Sequence, residues 1–354
     1  MRVGPSHAHQ RLNRHNAHRL TLANTPTTLY NHPMRPLLTA LLLALAAPAT
    51  AAETLTVGVQ EGGTVQWEIQ TILDQNLDER HDLDLQVRYL ADSRAGQIAL
   101  LTGAVDVILS DFVWVSVQRG EGNMVTMVPH SLAVGGLMVP PASPIKSVAD
   151  LAGRTIGVAG GPVDKSWVIL QAFYNHATGG RLVDAASARY GAPPLVNELL
   201  ASGGVDAGLN FWQWNARAKA AGMTELVSVA GMLADLGVTQ QPPLLGWTFT
   251  DTTAEARPAA ISAFLDTSFE AKAILLDDDA AWDSLAGLMG AADDPALFTQ
   301  LRTDYRAGIV RSYDPTAMDA AEQAFALLAQ YGGSDLVGAQ DQLATGTFWE
   351  GYRK

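Results

Sequence analysis

The sequence contains no cysteine, which excludes a disulfide framework, a thiol nucleophile and a thiolate metal site. Histidine is scarce where it could matter. Five of the eight lie within residues 1–33, and the others, His81, His130 and His176, are scattered with no carboxylate at metal-ligand spacing. After residue 52 no apolar run approaches the ~18 residues that a membrane-spanning helix needs. Basic residues are also few. Five of the 23 Lys and Arg precede residue 36, which leaves 18 against 36 Asp and Glu. So acidic a balance argues against nucleic acid and anionic membrane surfaces as partners, and for a freely diffusing protein.

The stretch MRPLLTALLLALAAPATAAE has one Arg, an apolar core from about Leu37 to Ala47, and Ala49-Thr50-Ala51 before Ala52. That is the layout of a secretory signal, with a core too short to cross a bilayer. Residues 34–52 are therefore read as a signal peptide and residues 1–33 as a start-site artefact. The remaining ~300 residues exceed the size at which one hydrophobic core stops growing, so two lobes are expected. Short apolar runs alternate with helical patterns throughout. TLTVGV (54–59), LDLQVRYL (83–90), VDVIL (105–109), TIGVA (155–159), VDAGL (205–209) and LLGWTFT (244–250) read as strands, with helices between them and a helical stretch from Arg257 onward. This alternation implies an α/β fold with mainly parallel sheets and crossover helices.

GAVDVILSDFVW (103–114) and GGVDAGLNFWQW (203–214) place Gly, Val, Asp, Leu and Trp at the same offsets. Each reads as a helix end, a turn and a buried strand, with Asp106 and Asp206 as turn residues. Ligands of open α/β sheets bind beyond the carboxyl ends of the strands. The two tips, Ser110-Asp111 and Asn210 with Trp212, are thus candidate ligand contacts.

IKSVADLAGRTIGVAGG (145–161), PPLVNELLASGGVDAGLNFW (193–212) and TLTVGVQEGG near the start of the mature chain resemble the periplasmic solute-binding proteins of ABC importers. The likeness is to the nitrate/taurine/sulfonate (SsuA/THI5-like) group and covers the whole mature chain. It implies a two-lobed type II periplasmic binding protein fold in which each lobe is a mainly parallel sheet with flanking helices and two hinge crossovers join them. Residues 53–138 plus 243–354 would form lobe 1 and residues 139–242 lobe 2, with the C-terminal helices packing mainly on lobe 1.

The resemblance places AGGPVDKSW (159–167) in the cleft. Gly160 and Gly161 let backbone approach a ligand, Pro162 would start a helix, and Asp164, Lys165 and Ser166 would sit in its first turn, a natural anion site. In lobe 1, GVQEGGTVQW offers Glu61, Thr64 and Trp67, and ADSRAGQ offers Ser93 and Arg94, whose fork suits a carboxylate or sulfonate. FWQWNAR adds Trp212 for stacking and Arg217, and Trp247 lies near another strand tip. Asp277-Asp278-Asp279 reads as the start of a helix rather than a calcium site.

The function implied is a periplasmic substrate-binding component of an ABC import system, expected to be monomeric, with a small anionic ligand and an inner-membrane ABC permease as partners. No cofactor or metal is called for. The Trp content favours a ligand larger and flatter than taurine. GGPVDKSW also resembles relatives associated with quinone-cofactor-dependent alcohol oxidation, which makes pyrroloquinoline quinone a candidate beside sulfonates and carboxylates. A periplasmic cofactor carrier or sensor serving a dehydrogenase or receptor is the alternative. An enzyme related to thiamine-precursor synthesis is less favoured: no positioned acid–base pair stands out, and the Cys-rich segment of that chemistry is missing.

Overall fold

The computed structural model describes residues 52–315 and 318–354, and the start-site and signal-peptide expectations on residues 1–51 lie outside the described residues. The first lobe opens with β1 (Glu53–Gln60), α1 (Val65–Asp74), α2 (Leu77–Arg80), β2 (Leu83–Leu90) and α3 (Ser93–Leu101). It continues through β3 (Val107–Asp111), α4 (Phe112–Gly120) and β4 (Val125–Ser131). The chain then crosses to the second lobe: β5 (Gly136–Val139), β6 (Thr155–Ala159), α5 (Lys165–Thr178), α6 (Leu182–Ala185) and β7 (Ser187–Gly191). There follow α7 (Pro193–Ala201), β8 (Ala207–Asn210), α8 (Trp212–Ala220), β9 (Thr224–Ser228) and α9 (Val229–Asp235). It returns as β10 (Leu245–Thr250) and ends in α10 (Asp251–Ala256), α11 (Pro258–Asp277), α12 (Pro295–Ala307), α13 (Asp319–Gly332) and α14 (Ser334–Val337).

Two five-stranded sheets result, ordered β2-β1-β3-β10-β4 and β7-β6-β8-β5-β9. β1 runs parallel to β2 and β3, and β6 runs parallel to β7 and β8. The exceptions are β10 and β5, each antiparallel to both its neighbours. These are the strands that follow a crossover, so each mixed sheet owes its reversed strand to the chain changing lobes. The inner parallel strands β3, β6 and β8 read as short apolar runs because helices cover both faces of the sheet there, whereas the edge strand β2 alternates apolar and polar residues.

The doubled Gly-x-Val-Asp segment has the same structural job in both lobes. Gly103 and Gly203 end α3 and α7 with φ of 70° and 73°, a left-handed conformation that favours glycine. Three residues on, the Asp106 carboxylate accepts the Thr56 N–H at 2.7 Å, and the Asp106 N–H donates to the Thr56 carbonyl at 2.8 Å. Asp206 makes the same reciprocal pair with Thr155 at 2.8 Å each way. Even the flanking arginines correspond: Arg88 donates to the Ala104 carbonyl and Arg189 to the Gly204 carbonyl, both at 3.1 Å. The repeat fastens β3 to β1 in the first lobe and β8 to β6 in the second, and that fixes where the strand tips lie.

The helices after β10 straddle the lobes, where the sequence reading set them mainly on the first. α11 packs against α1, α2, β1 and β2, but α12 packs against α8 and α13 against α5. The chain ends back on the first lobe, where Met127 of β4 donates to the Thr347 carbonyl and accepts from the Trp349 N–H, both at 2.9 Å. The first crossover is held from two sides. Leu132 N–H donates to the Gly308 carbonyl at 2.8 Å, and a Cβ on Gly135 would lie 1.7 Å from the Asn210 carbonyl oxygen.

One local expectation changes and another gains detail. Pro162 does not start α5; it lies in the turn before Lys165, because the Asp164 carboxylate takes the Ser166 and Trp167 N–H groups and sets the cap there. Asp277-Asp278-Asp279 closes α11 and also opens a helix as expected: Asp279 is the N-cap of the short 3-10 helix Ala280–Leu285, Asp278 accepts the Ala280 N–H at 2.8 Å, and Asp279 pairs with Arg302 and Arg306 of α12.

Asp106→Ala and Asp206→Ala should each remove a charge-assisted bond to a main-chain N–H and cost about 1.5–3 kcal/mol in urea unfolding. Asp106→Ala should cost more, because Arg257 loses its 3.1 Å partner as well.

Candidate functional site

A cavity of about 330 Å³ lies between the lobes, at the carboxyl ends of β1, β2, β3, β6 and β8. The first lobe contributes Gln60, Gly63, Thr64 and Val65 around the start of α1, Leu90, Asp92, Ser93 and Gln97 around α3, and Ile108 to Asp111 from β3. Leu244 and Leu245 enter from the start of β10. The second lobe contributes Asp164, Lys165 and Ser166 from α5 and Phe211, Trp212 and Gln213 from α8, and the crossover residues Ala133 to Gly135 close the wall.

Five helices begin at this wall, and they differ in one respect. α3, α4 and α5 are each capped by an aspartate: Asp92 accepts from Ala95 N–H at 2.8 Å, Asp111 from Trp114 N–H at 2.8 Å, and Asp164 from Ser166 N–H at 2.9 Å. α1 and α8 have no side-chain cap at Thr64 or Phe211. The Gly63, Thr64 and Phe211 carbonyls take the Gln66, Trp67 and Trp214 N–H groups, but with no carboxylate at the cap these two starts keep their partial positive charge for something else. Burial pushes the Asp164 carboxyl up, opposed by the Lys165 charge and by the N–H groups it caps.

Ser110 is the residue at the centre of this arrangement. It is 6% exposed, lines the cavity, and its hydroxyl has no hydrogen-bond partner among the described residues. A buried hydroxyl without a partner costs about 1–3 kcal/mol, so its presence asks for a ligand or water. Lys165 is not free in the same way: its ammonium lies 3.2 Å from an Asp111 carboxylate oxygen, across the cleft.

Of the residues singled out from sequence, Thr64, Ser93, Ser110, Asp111, Asp164, Lys165, Ser166 and Trp212 are brought together in the cavity wall. The others lie elsewhere. Glu61 and Arg94 are exposed beside the wall, and Gly160 and Gly161 form the turn before Asp164, Gly160 with a left-handed φ of 91°. Asn210 is buried and spent on the Pro193 carbonyl at 2.8 Å and the Asn197 amide oxygen at 2.9 Å. Arg217 is no clamp for a ligand: it donates to the Met289 carbonyl at 2.7 Å and the Gln213 carbonyl at 2.9 Å. Trp247 is core, donating to the Ser268 hydroxyl at 2.8 Å.

Trp67 is core too, but at an informative place. It meets Trp212 edge-on at 5.9 Å, Trp282 at 6.1 Å and Tyr305 at 5.6 Å. Trp212 therefore shows one part to the cavity and packs its edge against the other lobe. The wall also holds Gln97, Gln213 and Asp92, which sequence reasoning did not single out. Gln97 was within reach, since it lies one turn after Ser93 on the same face of α3.

Behind the start of α1 lies a buried ionic network. Glu68, fully buried, accepts from Lys272 Nζ at 3.2 Å, from Ser268 Oγ at 2.5 Å, and faces His130 Nε2 at 3.0 Å. Burial alone would raise the Glu68 carboxyl. The Lys272 and His130 charges and the bonds from His130 and Ser268 outweigh it and hold the group at about 2. Burial pushes His130 down, with the Lys272 charge adding to it against the pull of Glu68. Burial, and then the Glu68 charge, push the Tyr305 hydroxyl well up.

Residues 79–280, more than half of the chain, match the family model for NMT1/THI5-like proteins. The chain belongs to the NMT1/THI5-like family. Its fold is shared with the periplasmic aliphatic sulphonate binding protein SsuA from Escherichia coli, at 21% identity and a TM-score of 0.67, over 84% of this chain and 97% of that one. The alkanesulfonate-binding protein SsuA from Xanthomonas axonopodis pv. citri, bound to MOPS, matches at 18% identity and 0.65, over 85% and 99%. The desulfurization enzyme DSZB matches at 18% and 0.57, over 83% and 96%. No curated protein matches the sequence. These likenesses confirm the two-lobed α/β architecture of this NMT1/THI5-like protein.

The network makes stability pH-dependent with a definite sign. A histidine whose folded pKa is depressed favours the unfolded state as it protonates, so stability should be complete above pH 6.5 and fall as the pH drops below it. The depressed Glu68 should add a second loss between about pH 4.5 and 2. Urea unfolding from pH 8 to 2 checks both legs, and His130→Gln should flatten the first.

Proposed function

We propose that this protein is the substrate-binding component of an ABC import system, which captures a small organic acid between its lobes and delivers it to an inner-membrane permease. The observation that carries the reading is the unpartnered Ser110 hydroxyl, buried in a cavity walled by both lobes. The ligand's acidic head would take that hydroxyl and the open starts of α1 and α8. Its body would lie on Leu90, Leu109, Val134, Leu244 and the exposed part of Trp212. Closure supplies the mechanism: a ligand that touches both lobes stabilises the shut form by the difference between its contacts there and in the open form.

The wall carries three aspartates and one lysine. That balance supports a single sulfonate or carboxylate head and disfavours a polycarboxylate such as pyrroloquinoline quinone. The cavity volume, at the low end of the roughly 300–1,000 Å³ of small-molecule sites, supports the same choice. The names of the structural neighbours agree in chemistry: aliphatic sulphonates and MOPS for the two SsuA proteins, and biphenyl-2-sulfinic acid in complex with a DSZB mutant. An export signal and a periplasmic location complete the proposal. The same cleft would serve a periplasmic carrier or sensor. Turnover has less support, because the aspartates of the wall are engaged as helix caps and the lysine is paired.

Tryptophan fluorescence and calorimetric titration with ethanesulfonate, MOPS, short carboxylates and pyrroloquinoline quinone test the reading. A monosulfonate or monocarboxylate should bind, and Ser110→Ala should weaken it about tenfold, one lost hydrogen bond, while leaving Tm unchanged or higher. Tight quinone binding that Ser110→Ala leaves intact would reject the single-head site.

A further inference from the structure

Lys165 is the sole Lys or Arg in the cavity wall among the described residues, and it is already taken. Its partner Asp111 stands at the end of β3 in the first lobe, while Lys165 opens α5 in the second. The 3.2 Å ion pair therefore runs from lobe to lobe. Both side chains are sheltered, at 28% and 19% exposure, so solvent screens the pair less than it would on an open surface. The two oxygens of Asp111 divide their work: Oδ1 accepts the Trp114 N–H that caps α4, and Oδ2 faces Lys165.

We infer that Asp111 is a specificity-determining residue: it latches the cleft by holding Lys165, so that an anion reaches the lysine only by breaking the contact between the lobes. The selectivity part of this inference rests on the solute-binding reading above, while the latch does not. Sulfate or phosphate offers charge alone. It would gain one lysine, forfeit the pair that closes the cleft, and face Asp92 and Asp164 in the same wall. An organic acid recovers what the broken pair loses, because its body also covers the apolar wall and Trp212. Discrimination then comes from a built-in repulsive element in addition to attraction, and Asp111 is that element. The latch further implies that the ligand-free protein rests with its lobes together, which lowers the conformational shift a ligand must drive.

Asn at position 111 keeps an oxygen for the Trp114 cap and removes only the charge, since Asn and Asp cap helices about equally well. The missing cysteines allow clean spin labelling, with Arg94→Cys and Val163→Cys as exposed sites on opposite lobes, both outside the cavity wall. In the ligand-free labelled protein, double electron–electron resonance should give one short distance. Asp111→Asn and Lys165→Gln should each move at least half of the population to longer distances, and Lys165→Arg should restore the short one. Unchanged distances in both charge-removing variants would overturn the latch, even if organic acids bind. Sulfate titration reads the selectivity: Asp111→Asn should bind sulfate at least tenfold more tightly than the parent, and equal or weaker binding would overturn the filter. If no organic acid binds the parent but the distances shift as expected, the solute reading fails and the latch stands.

Discussion

Everything at the cleft depends on where α1 is held, and α1 is held by a charge taken out of water. Glu68 sits one turn into that helix with none of its surface exposed, and it stays ionised because Lys272 of α11 and the Ser268 hydroxyl take the place of water. Such a group tolerates little displacement: removing one partner of a buried pair costs about 3–5 kcal/mol, far more than the pair contributes in net stability. The network is therefore better understood as a positioning device than as a source of stability. It joins α1, whose open start lines the cavity, to α11 and to His130, which stands next to the end of β4 where the chain leaves for the second lobe. A single buried cluster thus sets one wall of the site and the root of one hinge.

The second constraint is the way the C-terminal segment threads both lobes. α12 rests on α8, the helix that carries Trp212, and the chain just beyond α12 bonds to the first crossover at Leu132. Trp212 in turn meets Trp67 and Tyr305, so the aromatic cluster behind the cavity draws on α1, α8 and α12 together. Opening the lobes must separate Trp212 from Trp67, and it parts Tyr305 from one of the two according to the lobe with which α12 travels. The hinge is accordingly more than two crossover strands. The edge-to-face aromatic contacts and the Asp111–Lys165 pair resist opening at two places, one apolar and one ionic.

Much of this architecture could be read from the sequence, and the reason is local. Unbroken apolar strands such as TIGVA, and the Gly-x-Val-Asp pair, carry their cause within a few residues, so the strands and the position of their tips followed. The site was legible only as far as its groups act locally. Ser110, Lys165 and Trp212 could be placed at the cavity wall because they sit at strand tips and helix starts. Arg217 was misjudged because its partner, the Met289 carbonyl, lies 72 residues away, and Trp247, on β10, because its partner Ser268 lies on α11. Asp111 and Lys165 were each named, but nothing local says that they face each other. The C-terminal packing failed for the same reason: an amphipathic helix shows that it has an apolar face, not which lobe will cover it.

Whether an aspartate at a helix start serves the ligand or the helix is the ambiguity on which the ligand's chemistry turns. A carboxylate that caps a helix lies at the positive end of the dipole and offsets it. α3, α4 and α5 therefore bring no net attraction for an anion to the cavity, although three helix starts at one cleft suggest the opposite when only the sequence is in view. α1 and α8 remain, one from each lobe, with no cap of their own. A single acidic head that accepts from both, beside the Ser110 hydroxyl, is bound only when the lobes are together. That coupling is what a closing receptor needs, because a head satisfied by one lobe alone would bind without shifting the equilibrium between open and shut.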